Sequence, residues 1–345
     1  MGVMASRYDA LLLVSFGGPE GSDDVVPFLE NVLRGRNVPA ARLREVAAHY
    51  EHFGGRSPIN DQCRALLAAL REELDRFGPP LPVYWGNRNW HPFLADAIRR
   101  MAGDGVCRAL AFVTSAFGSY SACRQYLDDF ERARAALGPG APEIHKLRAF
   151  YNHPGYVQPL VEAAAAAFDR VSASRRAAAE LVFAAHSIPR SMAATSPYEA
   201  QLRETAGLVA ASLGRAQWSL VYQSRSGPPG QPWLEPDVVD HLRALASAGV
   251  KDVVVSPIGF VSDHMEVLYD LDLEAKGRAL ELGLNMVRAA TAGTHPRFVR
   301  MVRELVEERL SDAQVRLHLG SRGPAPDACA PDCCPAPALT ADRPA

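Results

Sequence analysis

The sequence has no apolar run long enough to cross a membrane. A membrane-spanning helix needs about 20 consecutive apolar residues, and no stretch of this chain approaches that length. The start of the chain also lacks the charged and then apolar segments that mark a secretory leader. We therefore expect a soluble protein that works in the cytoplasm.

A strong net charge is also missing. The 345 residues carry a formal net charge of −2 at pH 7, and the isoelectric point is near 6.6. Proteins that bind nucleic acid or anionic membranes usually present a basic surface, so neither partner is expected. Lysine occurs only at positions 146, 251 and 276, and the abundant arginine suits carboxylate recognition. A small ligand is the expected partner.

Two nucleotide-binding motifs are absent as well. The glycine-rich segment Ser15–Pro19 contains only Gly-Gly-Pro in place of the G-x-G-x-x-G fingerprint, and the chain has no P-loop. These absences argue against a nucleotide-dependent enzyme.

Apolar segments of strand length alternate with segments of helical period. The strands are expected at residues 8–16, 81–85, 109–114, 181–185, 219–222, 251–258 and 286–290. This alternation is typical of α/β proteins with parallel sheets and helices on both faces. In such sheets ligands bind at the carboxyl ends of the strands. We predict two Rossmann-like, doubly wound domains.

The two halves of the chain end alike. Residues 148–154 and 288–296 each run through an expected strand into a His-Pro pair, which can open a helix because proline is favoured at the first helical position. We predict an N-terminal domain at 1–151 and a C-terminal domain at 152–295. A helix at 296–312 should pack back on the first domain, and a cysteine-containing tail follows at 313–345.

Three carboxylates follow the expected strand at 251–258. Glu266, Asp270 and Glu274 are spaced four apart, so on a helix they form one stripe, with Asp263 as the expected N-cap. Like charges at this spacing destabilise a helix, so a bound cation would explain the stripe. A solvated acidic helix face is the alternative.

His186 directly follows another apolar strand, and the Ser-Ile-Pro after it forces an extended exit. A neutral imidazole can accept a proton near pH 7, and a facing carboxylate such as Glu266 could orient it or bind a metal. The alternative is a structural histidine at a strand end.

Six cysteines divide between the predicted domains and the tail. Cys63, Cys107 and Cys123 lie in the first domain, whereas Cys329, Cys333 and Cys334 lie in the tail. Three tail thiolates need a fourth ligand, for which Cys123 is the internal candidate and His318 the candidate for a zinc site. The spacing leaves zinc, an iron–sulfur cluster and a disulfide open.

Several separated motifs resemble those of the ferrochelatases, specifically the coproporphyrin III ferrochelatase branch of Gram-positive-type, actinobacterial-like bacteria. The motifs are LLLVSFGGPEG, HYEHFGGRSPIN, YWGNRNWHP, TSAFGSYSACRQY, AAHSIP, YQSRSG, PWLEP and SPIGFVSDHMEVLYDLD, and the similarity runs from about Tyr8 to Leu310. The resemblance implies the chelatase fold with a tetrapyrrole cleft between its domains. It also implies a lyase that inserts Fe²⁺ into coproporphyrin III to form coproheme in haem biosynthesis.

The resemblance assigns roles to residues found above. His186 and Glu266 become the catalytic pair, with His186 as proton acceptor or metal ligand and Glu266 as metal ligand. Asp270 and Glu274 would continue a path for the Fe²⁺ substrate. The expected porphyrin contacts are Phe16, Tyr50, Ser57 and Tyr126. Phe16 stands where many relatives have Tyr or Met, so it can stack on the ring but cannot ligate a metal.

Some members of the family carry a [2Fe–2S] cluster held by one internal and three C-terminal cysteines. The resemblance therefore implies such a cluster on Cys123, Cys329, Cys333 and Cys334. Coproporphyrin III and Fe²⁺ are the expected partners, and transient contact with neighbouring haem-pathway enzymes is left open. Two alternatives are a protoporphyrin IX ferrochelatase and a non-catalytic tetrapyrrole- or haem-binding protein.

Overall fold

The computed structural model describes residues 8–34, 40–227, 230–311 and 315–336. Its first half contains one parallel sheet of four strands in the order β2-β1-β3-β4. The strands are β1 (Ala10–Ser15), β2 (Val83–Asn87), β3 (Arg108–Val113) and β4 (Glu143–Lys146). The helices are α1 (Ser22–Leu33), α2 (Ala40–Glu51), α3 (Ile59–Phe77), α4 (Leu94–Gly103) and α5 (Gln125–Leu137), the last preceded by a π-helical turn at Tyr120–Arg124.

The second half repeats this arrangement, with a parallel sheet in the order β6-β5-β7-β8. Its strands are β5 (Glu180–His186), β6 (Ser219–Gln223), β7 (Asp252–Ser256) and β8 (Asn285–Arg288). Its helices are α6 (Pro154–Asp169), α7 (Arg190–Ala194), α8 (Tyr198–Ser212), α9 (Val238–Ser247), α10 (Met265–Val267), α11 (Lys276–Glu281) and α12 (Pro296–Leu310). A short 3₁₀ helix at Arg176–Ala178 precedes β5, and a π-helix at Leu268–Ala275 joins α10 to α11.

The predicted fold class, two doubly wound α/β units, is confirmed. The central strands are apolar along most of their length, as expected where helices cover both faces of a sheet. Their polar residues lie at the strand ends, as with Ser15 of β1 and Glu180 of β5. In β1, Leu11 and Leu13 face one core, while Ala10, Leu12 and Val14 face another on the opposite side. The first of these cores continues into the second half, where it includes Phe183 of β5. The halves therefore share a core.

Helix α12 packs against both α3 and α6. Its Glu308 forms a buried ion pair with Arg148, with Arg148 Nε 2.7 Å from Glu308 Oε2. The exact domain limits stay a prediction. None of the helices in the described ranges combines the length and hydropathy needed to span a bilayer.

The segment after α12 has no helix or strand within its described part, 315–336, yet it is hydrogen-bonded to the rest of the protein. Asn152 Nδ2 donates to the carbonyl oxygens of Leu319 (3.2 Å) and Gly323 (2.8 Å). The Leu319 amide donates to the Asn152 carbonyl at 2.8 Å, and the Arg322 amide donates to Glu204 of α8 at 3.2 Å. This segment is fixed beside the link between the halves.

The strand expected within 148–154 is wrong, because pairing ends at Lys146 in β4. The strand expected at 286–290 is present as β8, which ends at Arg288. The His-Pro pairs do open helices. Pro154 and Pro296 occupy the first turns of α6 and α12, and the imidazoles of His153 and His295 accept the N-cap hydrogen bonds.

Candidate active site

His186 and Glu266 meet at the carboxyl edge of the second sheet. His186 is the last residue of β5, and Glu266 lies in α10, after the neighbouring strand β7. The distance from His186 Nε2 to Glu266 Oε1 is 3.4 Å, and the two side chains are 33% and 47% exposed. A polar pair with this exposure lines an open surface and is available to a ligand.

Hydrogen bonds hold both the imidazole and the backbone of His186. Its Nδ1 lies 2.5 Å from the carbonyl oxygen of Ser187, so Nδ1 carries the proton and donates to that oxygen. The hydroxyl of Tyr198, on α8, donates to the His186 carbonyl at 2.9 Å. With Nδ1 fixed, Nε2 is the atom that faces Glu266.

The two groups shift each other's pKa. Burial disfavours the charged imidazolium, but the adjacent carboxylate outweighs burial and raises the pKa of His186 to about 9. Burial also disfavours the ionised Glu266, yet His186 outweighs it and lowers the pKa of Glu266 to about 2. The free protein therefore holds an imidazolium–carboxylate pair at neutral pH, weakened by the solvent that reaches its partly exposed side chains.

The remaining carboxylates of the stripe lie on the π-helix. Burial raises the pKa of Asp270 to about 7, although a hydrogen bond from Ser224 opposes the shift. Burial, reinforced by Asp237, also raises the pKa of Glu274. The sequence pattern predicted an α-helix here, whereas a π-helix begins at Leu268. Wider turns of this kind are frequent at functional sites.

The helix start also differs from the prediction. His264 is the N-cap, and its Nδ1 accepts a hydrogen bond from the Glu266 amide at 3.2 Å. Asp263 instead pairs with Arg288, with 3.2 Å between carboxylate and guanidinium. The role of His264 was not predicted from the sequence, although its place two residues before Glu266 was a usable signal.

Four aromatic residues from the first half of the chain, here called the aromatic wall, lie beside this site: Phe16, Phe28, Tyr50 and Trp90. Phe28 contacts Phe16, Tyr50 and Trp90 edge-on, with ring centroids 6.2, 6.0 and 6.3 Å apart. Met265, the neighbour of Glu266, packs into the same cluster. Phe16 is 40% exposed, so part of its side chain is open to solvent. Two expected residues, Phe16 and Tyr50, are thus brought together, while Phe28 and Trp90 were missed.

The other two expected porphyrin contacts lie deeper. Ser57 is buried against Gly18 of the loop after β1, where a Cβ on residue 18 would approach the Ser57 Cβ to 2.8 Å. Tyr126 is buried beneath Arg88, whose guanidinium lies 5.5 Å from the ring centroid. Their contact with a substrate stays a prediction.

The cysteines predicted to hold a cluster approach one another as thiols. Cys333 Sγ lies 3.5 Å from Cys334 Sγ, and a hydrogen bond from Cys329 lowers the pKa of Cys123 to about 6. Across the described ranges, however, no group of three or more His, Cys, Asp and Glu side chains is arranged to hold a metal ion. His318, the candidate for a zinc site, also belongs to no such group among the described residues; its Nδ1 lies 2.9 Å from the Arg316 carbonyl oxygen.

Comparison with known proteins gives close relatives over most of the chain. A ferrochelatase from Rhodopirellula baltica is 54% identical over 95% of this chain and 93% of its own length. The coproporphyrin III ferrochelatases of Nocardia farcinica and Streptomyces coelicolor are 57% and 52% identical, over 88% and 99% of this chain and 88% and 96% of their own lengths. None of these names refers to an iron–sulfur cluster. Together with the thiol geometry, this corrects the sequence prediction of a [2Fe–2S] cluster on Cys123, Cys329, Cys333 and Cys334.

Solved structures share the fold at low identity. The sirohydrochlorin chelatase SirB from Bacillus subtilis subspecies spizizenii, in complex with cobalt, superposes with a TM-score of 0.53 at 12% identity, over 90% of this chain and 99% of SirB. SirB from Bacillus subtilis with Fe³⁺ gives a TM-score of 0.54 at 13% identity, over 89% and 98% of the two chains.

The ferrochelatase family model matches residues 8–310. This chain therefore belongs to the ferrochelatase family.

Proposed function

We propose that this protein is a lyase that inserts Fe²⁺ into coproporphyrin III and so forms coproheme in haem biosynthesis. One structural observation carries the proposal: His186 and Glu266 lie 3.4 Å apart at an open sheet edge. The 57% identity to a coproporphyrin III ferrochelatase supports the choice of substrate. The cytoplasmic location and transient contacts with other haem-pathway enzymes stay predictions.

The reaction requires two pyrrole N–H protons to leave the macrocycle as Fe²⁺ enters and sheds its water. Glu266 offers a carboxylate oxygen to the metal, the kind of ligand that hard and borderline cations accept. His186 accepts a pyrrole proton at Nε2, since Nδ1 is occupied by the Ser187 carbonyl. Protons released to solvent balance the charge of the incoming ion.

The raised pKa of His186 couples these roles. In the free protein the Glu266 carboxylate keeps the imidazole protonated, and a protonated imidazole cannot act as a base. Fe²⁺ on Glu266 would offset the carboxylate charge, so the pKa of His186 falls and its proton leaves. The base therefore forms when the metal arrives.

Asp270 and Glu274 extend the acidic face of the helix beyond Glu266. Burial favours their neutral forms, and an approaching cation would favour ionisation of each in turn. We propose that both carboxylates attract Fe²⁺ on its way to Glu266. The aromatic wall around Phe16 would support the flat macrocycle, because aromatic faces stack on π-systems, with Tyr50, Ser57 and Tyr126 as further contacts.

An anaerobic assay with Fe²⁺ and two porphyrins tests the substrate. Coproporphyrin III has four propionates and protoporphyrin IX has two, and we expect faster turnover of coproporphyrin III. Faster turnover of protoporphyrin IX would contradict the substrate assignment. Porphyrin binding without any iron insertion would instead indicate a non-catalytic tetrapyrrole-binding protein.

A further inference from the structure

The end of strand β6 lies directly beside the proposed catalytic histidine. Gln223 is the register partner of His186 in the sheet, and its carbonyl accepts the Ser187 amide at 2.8 Å. The Gln223 side chain is fully enclosed, at 1% exposure for the residue. A buried amide needs hydrogen-bond partners, and its partners identify what it holds.

Those partners lie on α10 and on the π-helix that follows it. Gln223 Nε2 donates to the backbone carbonyl of Glu266 at 2.9 Å and to Asp270 Oδ2 at 3.4 Å. One side-chain amide therefore fixes both the turn that carries Glu266 and the next carboxylate of the stripe. The bonds fall where the helix changes from α to π geometry.

Ser224 makes a second contact with the same carboxylate. Its hydroxyl donates to Asp270 Oδ2. Ser224 has a φ of +61°, in the left-handed region that side chains other than glycine rarely adopt. Such a conformation persists only where the surroundings enforce it, and it is common at functional sites.

Two carboxylates of the π-helix, Asp270 and Asp272, are held in different ways. Asp272 is neutralised by Arg288, with Arg288 Nε 2.7 Å from Asp272 Oδ1. Within the described part of the chain, Asp270 has no such arginine or lysine and is bound by the neutral donors of Gln223 and Ser224. Neutral donors orient a carboxylate without cancelling its attraction for a cation.

We propose that Gln223 and Ser224 are positioning residues that hold Asp270 and the Glu266 turn with neutral donors, so that the carboxylates stay available to incoming Fe²⁺. This inference rests on the proposed function and extends it to side chains that contact neither porphyrin nor metal.

Three variants test it. Gln223→Met keeps the side-chain length but removes both donors, and Ser224→Gly removes the hydroxyl while accepting the left-handed backbone. Ser224→Asn is the rescue variant, since asparagine tolerates this conformation and has an N–H donor. Gln158→Met on α6 is the matched control, because Gln158 donates only to Glu162 at the surface among the described residues.

In the anaerobic insertion assay we expect the KM for Fe²⁺ to rise about tenfold in Gln223→Met and Ser224→Gly, as for loss of one hydrogen bond to a charged group. The KM for coproporphyrin III should stay within about twofold, and Ser224→Asn and Gln158→Met should resemble the wild type. A merely structural role would lower Tm and leave the KM for Fe²⁺ unchanged. That result, or an equal rise in both KM values, would overturn the inference.

Calorimetric titration of the porphyrin-free protein with Zn²⁺ separates this inference from the proposed function. If the wild type inserts no iron into either porphyrin, the proposed function fails, and the titration still decides the positioning role. Weaker Zn²⁺ binding in Gln223→Met and Ser224→Gly supports it, whereas equal affinity in all variants overturns it.

Discussion

Glu266 follows the strand next to the one that ends at His186, and this adjacency brings Nε2 of His186 to 3.4 Å from Oε1 of Glu266. Parallel strands place their carboxyl ends at one edge of a sheet, so residues distant in sequence meet there. The acidic partner changes the histidine from a strand-end residue into one half of an ion pair.

Loss of either member of this pair should abolish most iron insertion. We expect His186→Ala to lower kcat by at least about 100-fold, because general acid–base catalysis contributes roughly 10²–10⁴ in rate. We expect a comparable loss in Glu266→Gln, because it removes the carboxylate oxygen offered to Fe²⁺. The measurement is anaerobic single-turnover insertion into coproporphyrin III. His318→Ala, at an exposed imidazole of the tail, is the control and should keep full activity. Normal insertion by His186→Ala would refute its role as proton acceptor.

The pKa of His186 should depend on Glu266. In Glu266→Gln the attraction is lost and burial dominates, so we expect the pKa to fall from about 9 to below the ordinary value of about 6.5. Histidine NMR titration of the metal-free protein measures this directly. Because folding raises the pKa of His186 and lowers that of Glu266, the stability contributed by the pair is complete between about pH 4.5 and 6.5; it is lost as pH rises through about 9 and as pH falls through about 2. A stability difference between wild type and Glu266→Gln that grows as pH rises from about 6.5 to 9 would contradict the assignment.

The buried pair of Arg148 and Glu308 should be costly to break. Their side chains are 1% and 7% exposed, and removing one partner leaves an uncompensated buried charge. We expect Arg148→Met to lower the free energy of unfolding by about 3–5 kcal/mol, measured by urea denaturation. The double variant Arg148→Met/Glu308→Leu should recover much of this loss. No recovery would show that the arginine acts mainly through its bond to the Leu317 carbonyl.

The exposed ring of Phe16 should matter for the porphyrin more than for folding. We expect Phe16→Ala to raise the KM for coproporphyrin III about 3- to 10-fold, as for loss of one aromatic contact, with the KM for Fe²⁺ unchanged. Phe77→Ala is the matched control, since Phe77 is also exposed and lies beside Arg76 and Arg303. An unchanged porphyrin KM in Phe16→Ala would remove this residue from the proposed cleft.

The sequence predicted the central strands well because they are buried on both faces and therefore apolar along most of their length. It missed β4, since Glu143–Lys146 is a short edge strand with mostly half-exposed residues. The change to a π-helix at Leu268 was also unpredictable, because it depends on packing and on donors from elsewhere, such as Gln223. Composition carries no signal for it.

The site was predictable where strand ends supplied the residues, as with His186 and Glu266. It was not predictable where contacts cross between the two halves. The clustering of Trp90, Phe28 and Met265 depends on how the first half faces α10, which no local pattern encodes. The thiols show the opposite case, because their sequence spacing suggested ligands that the fold does not arrange around a metal.

The contacts between Asn152 and residues 319–323 also set an order of events during synthesis. Both sheets lie upstream of this segment, and domains of a growing chain fold from the N-terminus as they leave the ribosome. These hydrogen bonds to Asn152 therefore form only after residues 319–323 have left the ribosome, when both sheets have already been synthesised. A chain cut before residue 319 would have both sheets but would lack the hydrogen bonds that fix this segment beside the link between the halves.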